Sequence, residues 1–231
     1  MESAQSPGAP AAPSLAEAVV RTLRHEVGDL LQTVYATAAI LQERLPSDWA
    51  LERRIVGDLR ARGEACKNLL DTVHDLVCPI QLHREPVNLA ETAASLVDTF
   101  ASRNPRLQVR AESVPAPAVM ADVRRITQAG GLLLAYACQT ARHEVRLRTQ
   151  PGPAAGEVEW LVSNDGPGLT EEELERLRNP FATTRHSLPA LTLALAYRLT
   201  QLHGGRMEVG RRPEGGLRVQ VVVTAATAGK A

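Results

Sequence analysis

The stretch VRTLRHEVGDLLQTVYATAAIL, residues 20–41, decides how the first third of this chain folds. Val20, Leu23, Val27, Leu30, Val34 and Leu41 recur at alternating steps of three and four, and Thr37 completes the row through its methyl group. That spacing is a helix with one apolar seam. With Val20 at heptad position a and Leu23 at d, His25 falls at f, farthest from the seam, with Glu26 at g and Asp29 at c. A lone histidine on a helix is ordinarily a core filler or a solvated side chain. The phase excludes the core and places His25 outward beside two carboxylates.

Working outward, Ser14 and Glu17 in SLAE form a capping box that starts the helix. LPSDW, residues 45–49, ends it at Pro46 and offers Ser47 or Asp48 as the next cap. A second 3-4 row follows through Ile55, Leu59, Arg62, Cys66, Leu69, Val73 and Leu76, which places Cys66 in a core. Two such helices joined by a short turn form a hairpin over residues 14–80, and dimerisation into a four-helix bundle buries both seams. Arg53, Arg54 and Arg60 read either as a solvated face or as a partner surface.

The composition narrows the function. The 231 residues carry 26 basic and 26 acidic side chains, so no general field favours nucleic acid or an anionic membrane. Three widely spaced cysteines, Cys66, Cys78 and Cys138, point to a reducing, cytoplasmic setting. No apolar run approaches the roughly 20 residues of a membrane span. Residues 1–13 read as a disordered, Pro-rich tail without the marks of a signal peptide.

Pro79 and Pro86 in CPIQLHREPVNLAE, residues 78–91, end the helical region, and Asn88 with Glu91 caps the next helix. From there the periods mix. Helices are expected over about 89–102, 121–141 and 188–203, with a short acidic one from Thr170. Strands are expected at 107–112, 144–149, 158–164, 206–210 and 217–224, with hairpin turns at QPGPAAGE and RRPEGG. The fold class is therefore α+β: an N-terminal helical hairpin, then an α/β sandwich of one sheet covered by helices over residues 87–226.

RHEVGDLLQ, SNDGPGLTEEELERLRNPFATTR and LTQLHGGRMEVGRRPEGGLRVQVVV, in this order and spacing, resemble the sensor histidine kinases of two-component systems. The resemblance spans residues 15–225 and implies a dimerisation hairpin carrying a phosphorylated histidine, followed by an ATPase-like domain of the Bergerat type. It makes His25 the phosphate carrier and Glu26 the acidic neighbour that orients the ring. Asp29, followed by Leu30, stands where many members have Asn or Thr followed by Pro, which puts phosphatase activity in doubt. Imidazole suits the task, because it is neutral and nucleophilic near neutral pH while a carboxylate holds its second nitrogen.

The nucleotide motifs depart from the family. In DVRRITQAGGLLLAYACQTA, Gly130 and Leu134, or Gly131 and Ala135 in the next register, occupy the positions of two Asn residues that hold Mg-ATP. NDGPG keeps Gly166 and Gly168 but has Asn164 where the family reads adenine with Asp; a one-residue slip would bring Asp165 to that place. Leu188, Ala190 and Thr192 replace three glycines whose backbone approaches the phosphates, and Pro189 adds bulk. Phe181, Thr183 and Thr184 resemble the edge of a short ATP lid. Asn164, Asp165, Gly166 and Gly168 are thus a degenerate nucleotide site. His186 and His203 show no metal-ligand spacing, so no metal site is expected.

Three functions fit. The first is a phosphotransfer protein of a phosphorelay, carrying phosphate on His25 between response-regulator aspartates and lacking ATP-dependent autokinase activity. It needs no cofactor of its own, since the receiver domain brings Mg²⁺. The second is an active soluble histidine kinase with a divergent Mg-ATP site. The third is a pseudokinase scaffold paired with a true kinase. Retention of His25 and Glu26 favours the first two; loss of the Asn and Gly residues favours the first and third. Read from its start almost at the bundle, the chain is expected to carry no sensor domain, which suits a relay component. The expected partners are a second copy of the chain and receiver domains, with neither nucleic acid nor a membrane span.

Overall fold

A computed structural model of the protein describes residues 13–167, 170–178 and 188–226. The Pro-rich tail up to residue 12, Gly168, and the lid residues Phe181, Thr183 and Thr184, together with His186, lie outside them. The chain divides into two compact units at Pro79 and Ile80.

The first unit is a helical hairpin of α1 (Leu15–Arg44) and α2 (Ala50–Val77). The Glu17 N–H donates to Ser14 Oγ, so Ser14 caps α1 as read. The second cap differs. Trp49 is the N-cap and its side chain caps nothing. Arg53 does the joining work instead, donating to the Gln42 and Leu45 carbonyls, which the end of α1 leaves without helical partners. Arg60 donates to Gln42 Oε1, so these two arginines are hairpin staples within the chain.

The first seam is shielded unevenly. Val20, Val27 and Val34 of the a row are half-buried in the hairpin, and Ala38 is fully buried. Leu23 and Leu30 of the d row stay exposed, as do Thr37 and Leu41. On α2 Val56 and Gly63 are buried, one residue off the predicted row, while Leu69, Val73 and Leu76 of that row are half-buried, as is Leu70. A Cβ on Gly63 would come 2.9 Å from the Tyr35 ring, so the missing side chain is what admits the aromatic. Ile55, Leu59 and Cys66 accordingly face outward, so Cys66 is not part of the hairpin's own core.

The second unit contains β1 (Glu85–Val87), α3 (Leu89–Arg103), β2 (Gln108–Ser113), β3 (Val119–Ala121), α4 (Val123–Thr140), β4 (Glu144–Pro151), β5 (Glu157–Asn164), α5 (Glu171–Arg178), α6 (Leu188–Leu202), β6 (Arg206–Arg211) and β7 (Leu217–Thr224). A five-stranded sheet runs β2-β4-β5-β7-β6, parallel only between β2 and β4. β1 and β3 form a separate antiparallel pair that the sequence reading misses, because each is three residues long and flanked or interrupted by proline.

Alternation places Val145, Leu147, Val158, Trp160, Val162, Val219, Val221 and Met207 on one sheet face, packed against Leu96 of α3, Ile126 and Leu133 of α4 and Leu193 and Ala196 of α6. Trp160 Nε1 donates to the Leu89 carbonyl and ties the sheet to the start of α3. Asn88 caps α3 through Ala90 N–H and donates to Glu91. The tight turn between β6 and β7 uses Gly215 and Gly216, both near φ +90°. Helices on one face of a mixed sheet, preceded by a helical region, make the molecule α+β as the sequence implies. Among the described residues no helix is long and apolar enough to cross a membrane.

Candidate functional site

Two sets of residues singled out by sequence come together, one in each unit. In the hairpin, α1 carries His25 outward with its side chain 73% exposed. The ring Nδ1 lies 3.2 Å from Asp29 Oδ2, one helical turn on, and 3.8 Å from Glu26 Oε1. The nearer carboxylate is therefore Asp29, not the adjacent Glu26 that the resemblance assigns to orient the ring. The i,i+4 spacing puts Asp29 on the same strip of helix surface, whereas residue i+1 points about 100° away. A proton on Nδ1 facing Asp29 leaves the Nε2 lone pair free and solvent-facing.

His25 borders a groove of about 510 Å³ between α1 and α2. Its wall carries a charged cluster that the sequence reading missed. Arg24 Nε lies 2.7 Å from Asp71 Oδ1, and Lys67 Nζ lies 2.9 Å from Asp71 Oδ2. Burial acts to raise the Asp71 carboxyl, but the hydrogen bonds and charges of Lys67 and Arg24 hold it below the ordinary carboxylate range. Lys67 and Asp71, four residues apart, were legible as a helix pair; the bridge to Arg24 needs the hairpin register.

In the second unit, Asn164 ends β5 and is 1% exposed. Its Oδ1 accepts from Gly166 N–H at 3.2 Å and Leu217 N–H at 2.9 Å. Its Nδ2 donates to the Ala137 carbonyl at 2.8 Å and to Thr140 Oγ1 at 2.7 Å. Two backbone donors fix which amide atom is oxygen. Both acceptor sites and both donors are thereby spent on tying α4, β7 and the following turn together. Asp165 turns the other way. Its carboxylate accepts from the N–H groups of Arg142, His143 and Glu144. Burial alone would raise this carboxyl, but those bonds hold it below the usual Asp range. The stability they add is present above that range and lost as pH falls through the lowered value. The slip that would bring Asp165 into the place of Asn164 does not occur.

The glycines of this region serve close packing. A Cβ on Gly166 would come 2.1 Å from the Thr140 carbonyl oxygen, and one on Gly216 would come 2.2 Å from that of Asn164. His203 is a buried clamp, its Nε2 accepting from Asp122 N–H and its Nδ1 donating to the Leu199 carbonyl. Gly130 and Leu134 face the core. A Cβ on Gly130 would come 2.7 Å from Leu96 and 2.8 Å from Trp160, so this register does not present α4 to a ligand. The face of α4 turned toward the β5 end carries Ala137 and Thr140, and α4 contains no Asn in any register. Positions 188, 190 and 192 already belong to α6.

Asn164→Leu is expected to destabilise the second unit by about 3 kcal/mol, since it strands the Gly166 and Leu217 N–H groups in a buried site. Urea denaturation followed by circular dichroism checks this; an unchanged midpoint would contradict the clamp.

Residues 121–227 match the family described as histidine kinase-, DNA gyrase B- and HSP90-like ATPases. Similar curated proteins include the sensor protein kinase CarS of Pseudomonas aeruginosa, 32% identical over 145 residues, covering 62% of this chain and 32% of that one. Another is the sensor histidine kinase ZraS of Escherichia coli K12, 26% identical over 190 residues, covering 80% of this chain and 40% of that one. The chain thus spans well under half the length of these relatives. Among solved structures, full-length ShkA in complex with AMPPNP aligns with a TM-score of 0.76 at 23% identity, over 92% of this chain and 47% of that one, a likeness of fold.

Proposed function

We propose, from the premise that this chain belongs to the two-component sensor histidine kinase family with its ATPase-like domain, that it works as a histidine phosphotransfer protein. His25 takes a phosphoryl group from the aspartate of one receiver domain and passes it to another. The observation that carries this reading is the His25 ring, 73% exposed, with Nδ1 3.2 Å from Asp29 Oδ2. Phosphoryl transfer depends mainly on alignment and charge neutralisation, which such a ring and a docking receiver supply between them.

Direct phosphorylation from ATP is not part of the proposal. The residues at the β5 end do not fit a magnesium nucleotide: Asn164 has no hydrogen-bonding capacity left for a base, and α4 offers no Asn for the metal. The second unit then serves as a structural or docking element. The hairpin works as a homodimer, a reading supported by the exposed apolar residues Val19, Leu23, Leu30, Ile55 and Leu59.

Titration with Mg-ATP in a calorimeter is expected to give no heat of binding at micromolar concentrations, and Asn164→Asp is expected not to create any. Low-micromolar affinity in the wild type would replace this reading with an active kinase. Incubation of the full chain with a phosphorylated receiver domain from the same cell tests the transfer itself; absence of label on His25 would leave a scaffold.

A further inference from the structure

We propose that Arg24 and Lys67, bridged across the hairpin by Asp71, are positioning residues that hold the phosphoryl group as it approaches His25. The inference rests on the phosphotransfer reading and names the residues that serve it. His25 has an electrostatic difficulty of its own. Glu26 and Asp29 both stand at its Nδ1, and both repel an incoming phosphoryl dianion. Transfer needs a compensating positive charge on the side from which the group arrives.

The groove beside His25 supplies it. Arg21, Arg24 and Lys67 line it together with His25, against the carboxylates of Asp29 and Asp71. Asp71 holds the two cations at the wall: Arg24 reaches it through Nε and Lys67 through Nζ. The Arg24 terminal NH₂ groups and the remaining Lys67 protons are not used in those bonds, and an Arg fork or a Lys ammonium suits phosphate oxygens. Both side chains are about half exposed, 48% and 52%, so a docked domain can reach them. Gly28, on the same wall, would have open space around an added Cβ, so nothing there blocks close approach.

The step balances without any other reagent. The Nε2 lone pair attacks phosphorus, the N–P bond forms, and the P–O bond to the receiver's aspartyl carboxyl breaks. The electron pair leaves with the carboxylate, and the Nδ1 proton stays facing Asp29 or passes to solvent. Arg24 and Lys67 hold the non-bridging oxygens in line with the donors that Asp71 leaves free.

Two donors test this on the full chain: a phosphorylated receiver domain, and phosphoramidate, a small donor that phosphorylates histidine without a docking partner. Arg24→Gln and Lys67→Gln are each expected to slow labelling of His25 from both donors about tenfold, the modest effect of half-exposed cations. The loss should shrink as salt is raised, and Lys67→Arg should recover most of the rate, neither of which follows from a purely structural role. Circular dichroism and sedimentation should match wild type. Wild-type rates in both Gln variants, or a loss that Lys67→Arg does not relieve, would overturn the assignment. If phosphoramidate labels wild-type His25 and the phosphorylated receiver does not, the phosphotransfer reading fails, while the phosphoramidate rates still decide the role of the cations.

Discussion

His25→Gln is expected to abolish labelling by a phosphorylated receiver domain and to leave circular dichroism and the oligomeric state unchanged. The size of the effect follows from the chemistry. The amide of Gln fills nearly the same volume and has no nucleophilic lone pair, so loss of signal should be complete rather than partial. The absence of any folding cost follows from the geometry. The ring is 73% exposed, and its contacts are two surface carboxylates worth well under about 1 kcal/mol. The flanking carboxylates make a finer version of the same prediction. Asp29→Asn should slow transfer more than Glu26→Gln, because Asp29 lies 3.2 Å from Nδ1 and Glu26 lies 3.8 Å away. Rapid-quench labelling of the three variants against wild type measures the order. A larger effect of Glu26→Gln would return the orienting role to Glu26. Full labelling of His25→Gln would move the phosphate to another residue.

The contrast between His25 and Asn164 shows how far sequence reaches in this molecule. His25 was legible because helix phase is a local property: the apolar row from Val20 to Leu41 fixes which way position f points. Asn164 was legible only as a motif position. Its work as a clamp depends on Ala137, Thr140, Gly166 and Leu217, which lie on α4, in the following turn and on β7, and no period connects them. The same limit explains the α2 row. Ile55, Leu59 and Cys66 give the stronger hydrophobic pattern, yet the hairpin contact runs through Val56 and Gly63, because a glycine that admits Tyr35 carries no hydrophobic signal at all. It explains α4 too, where Gly130 is a packing site against Trp160 rather than a vacated ligand position. Where a residue's role is set by its own helix or strand, the sequence shows it. Where the role is set by a neighbour far along the chain, the sequence shows only the residue.

Leu30→Asp is expected to convert a dimer to a monomer by sedimentation at micromolar concentration, with the hairpin still helical. In the hairpin, the a residues Val20, Val27 and Val34 are already shielded by α2, whereas Leu30 at d remains 66% exposed and Leu23 51%. A charge at Val27 would therefore strike the hairpin itself, but a charge at Leu30 strikes only what covers the outward stripe. In a two-fold dimer that stripe meets its own copy, so each substitution is counted twice. Losing a buried leucine and burying an unpaired carboxylate costs about 3 kcal/mol per site. Two sites give about 6 kcal/mol, or roughly a 10⁴-fold weaker dimer. His25→Ala is the paired control, since position f lies away from both seams, and it should sediment as wild type. If Leu30→Asp stays dimeric, the outward stripe is not the interface. If the wild type is itself monomeric at these concentrations, the apolar stripe of Leu23, Leu30, Ile55 and Leu59 awaits a different partner.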